Sequence, residues 1–108
     1  MQILFDHGTP APLRHALVGH EITTAYERGW SALKNGELIA AAEASKFEVL
    51  VTTDKNLRYQ QNLTGRSLAI VVLWTTSWPK IQREIPKVQA AIDRATKGSY
   101  IELDPGEA

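Results

Sequence analysis

Two short apolar runs in this sequence each end on an aspartate, Ile3-Leu4-Phe5-Asp6 and Val49-Leu50-Val51-Thr52-Thr53-Asp54. A third carboxylate, Glu37, falls in the first turn of an expected helix between them. In an open parallel α/β sheet the functional crevice lies beyond the carboxyl ends of the strands, so acids delivered there by separate strands converge. Taken singly, each has a structural role open to it. Asp6 begins a Gly/Pro turn, Asp54 suits a helix N-cap, and Glu37 sits where a helix dipole favours negative charge. Taken together they repel one another unless a cation neutralises them. Hard oxygen ligands of this kind suit Mg²⁺ or Mn²⁺, which keep several waters and take a phosphate as a further ligand. The chemistry so indicated is metal-dependent phosphodiester hydrolysis.

The elements that must carry these residues are short. An apolar strand over residues 2–5 stops at Asp6-His7-Gly8-Thr9-Pro10, a dense run of turn formers. Leu13, Ala16 and Leu17 mark a short helix from Pro12, with Gly19 as its stop. Residues 20–24 alternate weakly and read as a second, less buried strand, and residues 26–36 as mostly loop. Asn35 is the expected N-cap of a helix with Leu38, Ile39, Ala41, Ala42 and Ala44 on its apolar side. Residues 48–53 form a buried strand, after which Asp54 caps a short helix through Leu57, Tyr59 and Gln61. Residues 68–73, rich in β-branched side chains, suit a strand buried on both faces. Pro79 opens a last helix along Ile81, Ile85, Val88, Ala91, Ile92 and Ala95, which Pro86 must kink or divide. Gly98 ends it, and residues 100–103 add an edge strand.

Strands alternating with helices predict an α/β fold of three layers, α/β/α, with a mostly parallel sheet of four to five strands. Right-handed crossovers are expected, with the first and third strands side by side, so that Asp6 and Asp54 face one crevice. Residues 1–103 form one domain and 104–108 a frayed tail.

Twelve basic and twelve acidic residues cancel, so the chain lacks the broad positive field of a general nucleic-acid binder. It has no cysteine, which excludes disulfides and thiolate metal sites and fits a reducing cytoplasm. No apolar run approaches the ~18 residues of a membrane span. Lys55, Arg58 and Arg66 follow Asp54 closely and are candidates for a cationic rim, with Gln61 and Asn62 as further phosphate or ribose contacts. A turn histidine pointing to solvent is the reading for His7, and His15 and His20 read as surface residues. Trp30, Trp74 and Trp78 suit a core edge or a dimer contact better than base stacking.

The opening Ile3-Leu4-Phe5-Asp6, then Asn35-Gly36-Glu37-Leu38, then Val49-Leu50-Val51-Thr52-Thr53-Asp54-Lys55-Asn56-Leu57 resemble the compact PIN-like proteins of bacteria. These are small relatives of the PIN-domain ribonucleases, often the toxin half of a toxin–antitoxin pair. The resemblance runs over nearly the whole chain and is most specific from Asp54 to Leu63. It implies that Asp6, Glu37 and Asp54 form an acidic catalytic site holding Mg²⁺ or Mn²⁺ and cleaving single-stranded RNA; Lys55, Arg58, Gln61 and Asn62 are then the candidate substrate contacts by their side-chain chemistry. It also implies a cytoplasmic homodimer or a complex with a small antitoxin. Two departures stand out: His7 occupies a position where relatives commonly carry an acid, and Leu73-Trp74-Thr75-Thr76 lacks the fourth acid of full-length PIN nucleases. The alternative reading is therefore a catalytically weak or inactive PIN-like binding module. Ranked behind it is a receiver-like phosphoacceptor domain, with Asp54 as acceptor and Thr75 or Thr76 as the hydroxyl.

Overall fold

The computed structural model describes residues 1–57 and 65–104. Within them lie five strands, β1 (Gln2–Phe5), β2 (Glu21–Thr24), β3 (Val49–Thr52), β4 (Ala69–Val72) and β5 (Tyr100–Glu102). Four helices accompany them, α1 (Leu13–Ala16), α2 (Asn35–Ala44), α3 (Trp78–Gln82) and α4 (Ile85–Asp93). The expected short helix after Asp54, the contacts assigned to Arg58, Gln61 and Asn62, and all of the tail beyond Asp104 lie outside the described residues.

The strands form one parallel sheet in the order β2-β1-β3-β4-β5. β3 and β4 are buried along their whole length, as runs of aliphatic residues in a sheet covered on both faces should be. Edge strands β2 and β5 are half exposed. Alternate residues of the interior strands feed two cores. Ile3, Phe5, Val49, Val51, Ala69 and Val71 face α1, α3 and α4. Leu4, Leu50, Ile70 and Val72 face α2 through Leu38, Ile39 and Ala42. The architecture is thus the expected three-layer α/β fold, and β1 and β3 are neighbours. Among the described residues no helix is long and apolar enough to cross a membrane.

Pro86 divides the last helical segment, as expected. It stands in the first turn of α4, where its missing N–H removes no intrahelical bond. The apolar row of this segment packs against the chain's own sheet, with Ile81, Val88 and Ile92 fully buried. Trp30, Trp74 and Trp78 are half-buried at the core margins. Trp30 meets Phe47 edge-on at 6.1 Å and is covered by the Arg28 guanidinium at 4.6 Å.

One crossover departs from the expected hand. β1→β2 and β4→β5 step in opposite directions across the sheet, yet α1 and α3–α4, which carry them, lie on the same face. The two crossovers therefore have opposite hands. α2 carries β2→β3 over the other face in the reverse direction, so it shares the hand of β1→β2. Given the strong preference for right-handed connections, β4→β5 is the left-handed exception. The physical reason is cover: α1 has four residues and cannot shield that face of the sheet alone. Val88, Ala91 and Ile92 of α4 complete it.

Candidate functional site

β1 and β3 end together at the carboxyl edge, where Asp6 N–H still donates to the Val51 carbonyl at 3.1 Å. The Asp6 carboxylate, 8 % exposed, accepts from three groups. Gly8 N–H reaches Oδ1 at 3.1 Å, the Thr9 hydroxyl lies 2.8 Å from the same oxygen, and the Thr52 hydroxyl donates to Oδ2. A Cβ at Gly8 would meet Thr53 Oγ1 at 2.8 Å, so a larger residue in this turn would require that hydroxyl to shift. The Thr52 hydroxyl also accepts from Asp54 N–H at 3.2 Å. One threonine hydroxyl thus couples the two aspartates.

Asp54 is half-buried. Its Oδ2 accepts from Asn35 Nδ2 at 2.6 Å and its Oδ1 from Asn56 N–H at 2.9 Å. This corrects the reading of Asn35 as an N-cap. Lys34 holds that position and Asn35 opens the helix, its amide turned across to β3. The role is taken over by Glu37, whose Oε1 accepts from Lys34 N–H at 3.1 Å. Glu37 is exposed and caps its own helix. Among the described residues no three His, Asp or Glu side chains are gathered so as to hold a metal ion.

The cation that the resemblance implies needs carboxylate oxygens with lone pairs to spare. A carboxylate offers about four lone-pair sites. Asp6 commits three of them to Gly8, Thr9 and Thr52, and Asp54 commits two to Asn35 and Asn56. What remains on the two aspartates fits a Mg²⁺ or Mn²⁺ ion held by one or two carboxylates with waters and a phosphate. It is not a closed protein cage.

The other candidates separate. Lys55 and His7 are exposed beside the two aspartates. Arg66 is not part of that rim. It precedes β4, at the amino edge, and pairs with Glu43 at 2.8 Å, because the chain must return to that edge before a parallel strand can begin. His20 is not a surface residue: its side chain is 9 % exposed, with Nε2–H donating to Asp93 Oδ1 at 2.7 Å and Nδ1 3.2 Å from the Met1 nitrogen. Packing of α4 over the start of β2 creates that contact.

A cleft of about 440 Å³ opens beside Asp6, toward β2, bordered by Arg14, Thr24, Tyr26, Glu27 and Ser31. A second hollow, of about 500 Å³, lies at the amino edge around Met1, His20 and Glu48, away from both aspartates. Tyr26 lies in the stretch expected to be mostly loop, and the structure holds it in a turn directly after β2. The signal that marks it is Thr24-Ala25-Tyr26-Glu27, a capping-box pattern that orders one turn. Comparison of the chain with protein-family models, curated proteins and solved structures returned no match.

Proposed function

We propose that this chain is a metal-dependent ribonuclease of PIN-like type, acting on single-stranded RNA at the carboxyl edge of β1 and β3 as the toxin of a toxin–antitoxin pair. One observation carries the reading: Asp6 and Asp54, 48 positions apart in sequence, end neighbouring parallel strands and share the Thr52 hydroxyl. Asp6 and Asp54 are the residues that would hold Mg²⁺ or Mn²⁺, which when bound supplies a water of lowered pKa and positive charge against phosphate oxygens. Thr52, Gly8 and Thr9 keep the Asp6 carboxylate aimed, and Asn35 does the same for Asp54. Lys55, exposed next to Asp54, offers a cation to the RNA backbone. Association with an antitoxin or a second copy belongs to the same proposal.

The non-catalytic reading has one observation of its own: the Glu37 carboxylate is engaged in capping its own helix. The receiver-like reading shares the strand order. It loses ground because an all-right-handed sheet of that order would carry the β4→β5 helices on the α2 face.

The test is cleavage of unstructured RNA by purified protein with Mn²⁺. Wild type should cleave, chelator should stop it, and Asp6→Asn should abolish it. Wild type inert with Mn²⁺, or activity that survives chelator or Asp6→Asn, overturns the reading.

A further inference from the structure

We propose that the cleft beside Asp6 seats one unpaired nucleobase, stacked on the ring of Tyr26; this rests on the ribonuclease reading and names the part of the substrate that the cleft takes. Tyr26 is 80 % exposed, while its neighbour Ala25 is 1 % exposed. A ring so open to water contributes little to the core, yet its backbone is tightly held. Thr24 N–H donates to Glu27 Oε1 at 2.9 Å and Glu27 N–H returns to Thr24 Oγ1 at 3.1 Å. Ala25 N–H donates to the Phe5 carbonyl at 2.8 Å, Trp30 N–H to the Ala25 carbonyl at 2.8 Å and Gly29 N–H to the Tyr26 carbonyl at 3.0 Å. An aromatic presented on an ordered turn loses little backbone freedom on binding a flat partner. At about 440 Å³ the cleft is within the ~300–1,000 Å³ range of small-ligand sites.

Charge selects the occupant. Arg14, the one arginine of the lining, is engaged by Glu27 at 2.9 Å and by the Ile22 carbonyl at 2.6 Å. The Thr24 N–H, and after it Arg14, hold the Glu27 carboxyl below its ordinary range. With Asp6 and Glu27 against Arg14, the lining carries more negative than positive charge, which repels phosphate. An uncharged ring with N–H donors suits the carboxylates and the open π-face together. Stacking tolerates any base, so the site would anchor a single strand without fixing its sequence.

The experiment is fluorescence anisotropy of a labelled five-nucleotide single-stranded RNA with the full chain, in chelator. It is run on wild type, Tyr26→Ala and Tyr26→Phe, with a strand abasic throughout as control. Tyr26→Ala should bind about fivefold to a hundredfold more weakly, and Tyr26→Phe should bind nearly as wild type. Thermal melting of Tyr26→Ala should match wild type, which separates stacking from fold damage. Equal affinity of wild type and Tyr26→Ala, tight binding of the abasic strand, or no binding by wild type overturns the proposal. So does capture of a protein partner through Tyr26 with no RNA binding. A parallel Mn²⁺ cleavage assay tells the two failures apart. Cleavage with Tyr26-independent binding removes only this inference, and Tyr26-dependent binding without cleavage removes only the nuclease.

Discussion

Asn35 Nδ2 lies 2.6 Å from Asp54 Oδ2, so the first residue of α2 is fastened to the end of β3. This bond joins the layer that carries Glu37 to the strand end that carries Asp54, and it keeps one carboxylate of the pair oriented. Asn35→Ala should cost about 1 kcal/mol, the scale of a hydrogen bond at a half-buried site. Asn35→Asp should cost more, because it places a second negative charge against Asp54. Urea melts in chelator measure both. An Asn35→Asp variant as stable as wild type would show that the two side chains do not face each other closely in solution.

Thr52 tests the coupling of the two aspartates. Thr52→Val keeps the β-branched shape but withdraws a donor from a buried carboxylate, at an expected cost of about 1–3 kcal/mol. Thr52→Ser keeps the hydroxyl and should cost less. Equal destabilisation by the two changes would assign the loss to packing of the methyl group alone.

Divalent cation should raise the melting temperature by mass action if it binds only the folded chain. Asp54→Asn should remove most of that rise while leaving the Asn56 turn nearly intact. Asp54→Ala should also lose about 0.5–2 kcal/mol without metal, the range for losing a capping carboxylate. Glu37→Gln is the contrasting case. Glutamine can also accept from Lys34 N–H, and the Glu37 carboxylate is already engaged there, so both stability and most of the Mn²⁺ response should persist. Loss of the Mn²⁺ shift in Glu37→Gln would bring Glu37 into the metal site.

At the opposite edge, burial pushes the Glu43 carboxyl up. Arg66, the N–H groups of Leu68 and Ser67 and the Ser67 hydroxyl outweigh it and hold the group below its ordinary 4.5. A lowered folded pKa contributes stability that is complete above the unfolded value and is lost as pH falls through the folded one. Wild type should therefore lose stability as pH drops below about 4.5, and Glu43→Gln should show a flatter slope over that acid limb and lower stability at neutral pH. Parallel slopes from denaturant melts between neutral and acid pH would remove Glu43 from the titration.

Much of this was legible locally. Apolar runs of four residues ending on aspartate set the strands, and the period along Ile81, Val88 and Ile92 set the last helical segments. The alternation of the two element types set a parallel sheet, so the placing of Asp6 and Asp54 after neighbouring strands could be read before the structure. Such features depend on near neighbours in sequence. What the tertiary structure decided was the choice of partner wherever several were within chemical reach. Asn35 left its own helix for Asp54, and Arg66 went to Glu43. Polar side chains settle on whichever donors and acceptors the packed layers bring within about 3 Å, and residues tens of positions away supply those. The hand of the β4→β5 crossover was decided in the same way, by the need to cover a sheet face that the short α1 leaves open. Tyr26 was decided likewise, because a sequence records an aromatic residue but not whether its ring is buried or held out over a cleft.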